Sequence, residues 1–156
     1  MPGINISRIE ATERAAHLYV DSYDVTLDVT TGDETFYSKS ELSFTCTTPG
    51  YSTFIDACGR RVISATLNGV AVDTTGFDGQ SIFLNNLAAQ NHLVIEIEGI
   101  YSKSGEGLQR SVDPSDSEIY LYSQGETAYI RHMFPCFDQP SLKATFTFTV
   151  TTPGHW

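Results

Sequence analysis

The sequence predicts an all-β domain: an antiparallel β-sandwich or saddle-like arrangement with one short N-terminal helix. Three observations lead to this fold class. Most of the chain consists of short runs in which apolar and polar residues alternate, the pattern of strands with one buried face. Turn-forming residues separate these runs at close spacing, as in sandwiches and barrels. A helix-like segment free of Gly and Pro is seen near the start, at residues 8–16.

The predicted helix begins after Ser7. Ser7 and Glu10 have the spacing of a capping box, in which each side chain accepts a hydrogen bond from the backbone N–H of the other residue. From Arg8 to Ala16 the residues Ala, Glu and Arg dominate, and these favour a helix. We therefore expect a helix of two to three turns.

Strands are predicted from residue 18 onward. Asn68-Gly69, between two apolar runs, predicts a hairpin because a type I′ turn needs positive φ at both central residues. Residues 102–117 are rich in Gly, Ser, Asp and Pro, and we expect a loop there. The predicted strands are 18–20, 23–29, 36–46, 53–55, 62–67, 70–72, 82–84, 93–101, 118–122 and 142–151.

Composition and charge limit the functional classes. The 156 residues fit a single domain, residues 1–156. A net charge of -10 argues against nucleic acid and anionic membranes as partners, because both repel such a surface. The three cysteines include no C-x-x-C pair and the first residues lack the pattern of a signal peptide, so we expect reduced thiols and a cytoplasmic location.

No pattern for metal, phosphate or nucleophilic chemistry is present. The four histidines are scattered, without H-E-x-x-H or another metal-binding spacing, so we expect no metal or other cofactor in this chain. Cys136 is a conceivable nucleophile, but no histidine is placed in the sequence to activate it. We therefore interpret Cys136 as a small buried residue.

One segment carries the functional prediction, and it spans residues 120–146. It resembles the M1 family of zinc aminopeptidases, whose N-terminal domain has a T-Q-x-E signature. In that family an Arg follows five residues after the Glu, and F-P-C-x-D-x-P and K-A-T-F come next. The matching residues are Gln124, Glu126, Arg131, Phe134, Pro135, Cys136, Asp138, Pro140, Lys143, Ala144, Thr145 and Phe146.

The match has additions and departures. Residues 107–111 resemble the G-x-x-R-S loop of the same family. Ser123 replaces the Thr of the signature, Ile130 stands where an Ala is common, and Gly125 stands where a larger apolar residue is frequent. Gly125 is expected to loosen the loop that aims Gln124 and Glu126.

The resemblance implies the N-terminal domain of a zinc metalloaminopeptidase, which removes N-terminal amino acids from peptides. It implies that Glu126 anchors the free α-amine of the substrate and that Gln124 lines the pocket for its first side chain. An α-amine has a pKa of about 7.7–8.0, so it is largely cationic near neutral pH and a carboxylate grips it with charge-assisted hydrogen bonds. The resemblance places the zinc ligands and the general base in the next domain, so we expect this chain alone to be inactive.

The rest of the motif is interpreted as structural. Arg131 is expected to pair with a nearby carboxylate and hold the loop. Pro135 and Pro140 fix backbone angles, and Asp138 is expected to close an Asx turn. Phe134 and Cys136 are expected to be packing residues of the same segment.

Three alternatives remain open from the residues alone. Gln124 and Glu126 could be ordinary polar residues of a loop. The chain could be a stand-alone β-sandwich binding module for carbohydrate or protein. A non-catalytic M1-like scaffold would carry the same motif. Trp156, the only tryptophan, directly follows a turn, which predicts a further strand and a chain truncated at its C-terminal end. We expect such a chain to expose a sheet edge that self-associates.

Overall fold

The computed structural model describes residues 5–156. It confirms the fold class, because strands dominate and one α-helix precedes them. The elements in chain order are α1 (Arg8–His17), β1 (Leu18–Asp28), β2 (Thr35–Cys46), β3 (Thr53–Asp56), β4 (Arg61–Leu67), β5 (Val70–Ala71), β6 (Ser81–Leu84), β7 (Gln90–Ile100), β8 (Gly107–Val112), β9 (Ile119–Gln124), the 3₁₀ turn Ile130–His132, and β10 (Thr145–Thr151).

The main sheet has six strands in the order β10-β1-β2-β7-β4-β5. Its long strands alternate between buried and more exposed residues, as the period of two in the sequence predicts. The buried face packs against the β3–β6 pair and the segment that follows the 3₁₀ turn. Ile55, Ile82 and Phe134 are buried there in the same hydrophobic core as Leu42 and Ile95 of the main sheet.

The local signals of the sequence are confirmed. In the capping box, the Ser7 backbone N–H donates to Glu10 Oε2 at 2.9 Å, and the Glu10 N–H donates to Ser7 Oγ at 3.2 Å. Asn68 and Gly69 have φ angles of 54° and 79°, and they connect β4 to β5 in an antiparallel hairpin. Both features depend on neighbouring residues, which explains why the sequence revealed them.

Two predictions were wrong in part. Residues 107–112, predicted as loop, form strand β8, which pairs antiparallel with β9. Leu108 and Gln109 are buried in this strand, and a Cβ on Gly107 would lie 2.4 Å from the Cβ of His132, so the 3₁₀ turn packs closely on it. Strand β10 pairs with β1 in parallel, although antiparallel pairing was expected throughout. The long chain between them supplies the crossover that a parallel pair requires.

Candidate functional site

The two predicted substrate-binding residues lie at the end of β9. Gln124 is the last residue of this strand, is exposed, and pairs with Gly107 of β8. Glu126 follows two residues later, is also exposed, and lines a cavity of about 510 Å³. The apolar residues that line this cavity include Tyr23, Ile130, Phe134, Pro140, Leu142 and Phe146, and its polar lining includes Thr127, Asp138 and Gln139. Glu126 therefore places a carboxylate beside a largely apolar cavity, and Gln124 is not among its lining residues.

Two of the three departures from the family pattern, Gly125 and Ile130, are in contact with each other. A Cβ built on Gly125 would lie 2.7 Å from Cδ1 and 3.3 Å from Cβ of Ile130. The Ile130 side chain thus occupies the space that a larger residue at position 125 would need. Gly125 and the bulk of Ile130 are complementary substitutions, and both residues line the Glu126 cavity.

Arg131 forms ion pairs with two carboxylates, whereas a single carboxylate partner was expected from the sequence. Its Nη1 lies 2.9 Å from Oδ1 of Asp56, and its Nε lies 3.0 Å from Oδ2 of Asp138. The Arg131 backbone N–H also donates to Asp138 Oδ2, at 3.2 Å. The Asx turn expected at Asp138 is replaced by these bonds, because Pro140, two residues later, has no N–H to donate.

Arg14 of helix α1 completes a buried ionic cluster. Its Nη1 lies 3.2 Å from Oδ2 of Asp56, and its Nε donates to Oε1 of Gln139 at 3.0 Å. Its guanidinium carbon lies 4.9 Å from the ring centre of Phe54 and 5.6 Å from that of Phe137. We call Arg14, Asp56, Arg131 and Asp138 the ionic cluster. Its charges balance, and it joins α1, β3 and the F-P-C-x-D-x-P segment.

Arg14 and Asp56 were not predicted from the sequence as members of the site. Both are almost fully buried, with exposed fractions of 1% and 2%. A charged residue inside the apolar run of residues 54–58 was the available signal, because a buried carboxylate needs a buried cation as partner. The partner itself was not deducible, since 42 residues separate Arg14 from Asp56.

Burial controls the titration of the groups around this cluster. Burial raises the pKa of the Asp56 carboxyl, and the charges of Arg14 and Arg131 oppose that effect. Burial also raises the pKa of the Cys136 thiol well above its ordinary value, and it raises the pKa of Cys58 to about 12. Both thiols are therefore protonated at neutral pH, which supports a packing role for Cys136 rather than a nucleophilic one.

The described residues do not fit a zinc site. Within residues 5–156, no three His, Cys, Asp or Glu side chains are grouped so that they could bind a metal ion. The same residues contain no helix long and apolar enough to cross a membrane.

A second cavity, of about 580 Å³, lies beside the β4–β5 hairpin. Asp73 is its one charged lining residue, and that carboxylate is already used by the backbone and hydroxyl of Thr75.

Comparison with known proteins identifies the class. The backbone matches a mutant of the M1 zinc metallopeptidase from Deinococcus radiodurans with a TM-score of 0.67 and 26% sequence identity, over 86% of this chain and 32% of that one. The chain is 43% identical to aminopeptidase N of Streptomyces lividans over 160 residues, which covers 100% of this chain and 19% of that protein. The Peptidase M1 N-terminal domain family matches residues 20–155. The chain belongs to this family.

A second relative also matches most of the chain. The leucyl aminopeptidase of Saccharolobus solfataricus is 29% identical over 135 residues, covering 84% of this chain and 16% of that protein. The chain thus spans less than a fifth of the length of these two aminopeptidases. It spans about a third of the Deinococcus structure.

Proposed function

We propose that this chain is the N-terminal part of a zinc metalloaminopeptidase, an enzyme that removes N-terminal amino acids from peptides. The observation that carries the proposal is the family match over residues 20–155, with the signature carboxylate, Glu126, beside a cavity. The chain covers 19% of the Streptomyces enzyme, which leaves ample sequence in such a protein for zinc ligands and a general base. The zinc of the parent protein would be held by those other residues.

Glu126 is proposed to anchor the substrate α-amine. Within residues 5–156, its carboxylate has neither a hydrogen bond nor an ion pair, in contrast to Asp56 and Asp138 of the ionic cluster. A carboxylate without an internal partner keeps its full capacity for a cationic ligand. The cluster holds the next segment through Arg131, five residues after Glu126, and so stabilises the position of the loop.

Gln124 is proposed to border the pocket for the first side chain of the substrate. It is exposed and two residues from Glu126, at the end of β9. A neutral amide can lie beside many side chains without requiring a charge on them. Because the cavity of about 510 Å³ is bordered by Glu126 and not by Gln124, the second wall of the proposed pocket would come from another part of the parent protein.

Peptides with a free N-terminus are the proposed substrates. A mutant of the Deinococcus enzyme has been crystallised with the substrate Tyr-Ser-Ala, and this chain matches that structure with a TM-score of 0.63 and 25% identity. The net charge of -10 supports peptides over nucleic acids or anionic membranes. A cytoplasmic location is proposed on the three free, buried cysteines, which are typical of reducing compartments.

The test is the reading frame that follows the codon of Trp156, together with the activity of its full product. We expect a G-A-M-E-N motif, then H-E-x-x-H with a distal Glu, and chelator-sensitive release of N-terminal residues by the full-length protein. The purified 156-residue chain is expected to show neither bound zinc nor peptidase activity. A frame without H-E-x-x-H would favour a non-catalytic scaffold, and an immediate stop codon would favour a stand-alone binding module.

A further inference from the structure

Helix α1 docks on the domain through a buried charge. Surface helices usually bury an apolar stripe. Within α1, Arg8–His17, Arg14 is the only buried residue, and Ile9 is 78% exposed. The family match covers residues 20–155, so it includes none of this helix and gives it no role. The contacts of Arg14 therefore show what the helix contributes.

Arg14 and Gln139 connect α1 to the Glu126 cavity. Arg14 Nε donates to Gln139 Oε1 at 3.0 Å. The amide nitrogen of Gln139 donates in turn to the carbonyl of Ala11 at 2.8 Å, so Gln139 is bonded to the helix at two points. Gln139 also lines the same cavity as Glu126. The helix is thus held by directional polar bonds to a residue of the cavity wall.

Asp56 provides a second connection. Its Oδ2 accepts from Arg14 Nη1 at 3.2 Å and from the backbone N–H of Asp138 at 3.1 Å. Its Oδ1 lies 2.9 Å from Nη1 of Arg131. The two oxygens belong to one rigid carboxylate, so the bond to Arg14 helps to fix the orientation that Arg131 meets.

The loop that carries Glu126 is closed and ends at Arg131. It begins where β9 ends, and the Tyr129 N–H closes it by donating to the Gly125 carbonyl at 3.1 Å. At its end, the Arg131 carbonyl accepts from the Cys58 N–H at 2.9 Å. A displacement of Arg131 would therefore reach Glu126 through a short, closed segment of chain.

We propose that Arg14 is a positioning residue for the amine anchor. Through Asp56, Arg131 and Gln139 it holds the Glu126 loop where the carboxylate meets the α-amine of the substrate, so this inference rests on the proposed function of Glu126. Placement matters because charge-assisted hydrogen bonds are only about 2.7–2.9 Å long. A misplacement of about 1 Å can cost about a hundredfold in rate. Loss of Arg14 should therefore weaken binding of the amine in particular.

A pair of inhibitors isolates the amine. The full-length enzyme is inhibited with an amino-acid hydroxamate and with the same hydroxamate that lacks the α-amine. The inhibition constant without the amine, divided by the constant with it, is the amine ratio. Partial unfolding lowers the amount of active enzyme but leaves the amine ratio of the folded molecules unchanged. A purely structural role of Arg14 would therefore not move this ratio.

Two substitutions of Arg14 are compared with a matched control. Arg14→Met removes the guanidinium and is expected to lower the amine ratio about fivefold. Arg14→Lys keeps the charge, but an ammonium does not reproduce the two directions of Nε and Nη1, so a loss of about threefold is expected. Arg8→Met changes an exposed arginine of the same helix and should leave the ratio unchanged.

Glu126→Gln shows whether Arg14 acts through the anchor. This substitution alone is expected to lower the amine ratio about tenfold. Adding Arg14→Met to it should lower the ratio no further, because the group that Arg14 positions has already lost its charge. A further loss in the double variant would overturn the inference, since Arg14 would then act by another route.

The outcomes separate this inference from the proposed function. An unchanged amine ratio in Glu126→Gln would overturn both the amine anchor and the role of Arg14. A lower ratio in Glu126→Gln with an unchanged ratio in both Arg14 variants would overturn the role of Arg14 alone. If Arg14→Met does not fold, Arg14→Lys decides by itself, and an unchanged ratio there overturns the inference.

Discussion

Removal of the Asp56 carboxylate is expected to cost this domain much of its stability. Asp56 contacts Arg131 Nη1 at 2.9 Å, Arg14 Nη1 at 3.2 Å and the backbone N–H of Asp138 at 3.1 Å. In Asp56→Ala, two guanidinium groups remain buried: Arg131 keeps its ion pair with Asp138, whereas Arg14 loses its ion pair with Asp56. Breaking a buried ion pair in this way costs about 3–5 kcal/mol. Because domains are stable by only about 5–15 kcal/mol, the variant should be severely destabilised.

Urea unfolding followed by far-ultraviolet circular dichroism measures this cost. We expect a lower midpoint with an unchanged dependence on denaturant, since the fold and the surface exposed on unfolding stay the same. In a domain of this size the loss corresponds to a decrease in Tm of roughly 6–20 °C. Asp73→Ala, an exposed aspartate in a turn, is the matched control and should change the midpoint far less.

A second variant separates charge imbalance from lost packing. Asp56→Ala combined with Arg14→Met removes one charge of each sign, so the pair should be less destabilising than the sum of the two single changes. Equal midpoints for Asp56→Ala and Asp73→Ala would refute the reasoning. So would strict additivity in the double variant, because the cluster would then not be a coupled unit.

Two further predictions follow from the residues around Glu126. Gly125→Ala should lower the free energy of unfolding by about 1–3 kcal/mol, because the added methyl group overpacks against Ile130. In a double-mutant cycle of unfolding free energies, Ile130→Ala should remove most of that penalty. Additive effects of the two changes would contradict the contact. The pKa of His132 lies below its ordinary value of 6.5, first because the side chain is buried and second because the positive charge of Arg131 is nearby. The unfolded chain therefore binds a proton that the folded chain does not, so stability should fall as pH decreases below about 6.5. His132→Gln should flatten this fall in urea midpoints measured across pH, and an unchanged slope would contradict it.

Local patterns predicted most of the fold. The period of two in β2 and β7, the capping box at Ser7 and the Asn68-Gly69 hairpin each depend on residues close in sequence, so the sequence alone revealed them. Strand β8 was missed because its sequence, G-L-Q-R-S-V, does not alternate between apolar and polar residues and is surrounded by Gly, Ser and Asp, which favour loops. The parallel pairing of β10 with β1 was missed because it joins residues more than 100 positions apart, for instance Tyr23 and Phe146.

The site was predictable in outline only. The motif located Glu126 and Arg131, and a nearby carboxylate was expected as the partner of Arg131. The structure was needed to show that Asp56 shares its carboxylate between Arg131 and Arg14, because these residues come from three separate elements. It also showed that Gly125 and Ile130 compensate for each other, which neither position reveals by itself.

The role of Glu126 is tested most directly by kinetics of the full-length enzyme. Glu126→Gln keeps the size of the side chain and removes its charge. We predict a higher KM and a kcat/KM lower by about tenfold or more for peptides with a free α-amine, the loss expected for a charge-assisted hydrogen bond. Glu118→Gln, an exposed glutamate beside the start of β9, is the control and should leave both constants unchanged. Kinetics of Glu126→Gln that match those of Glu118→Gln would contradict the assignment of Glu126 as the amine anchor.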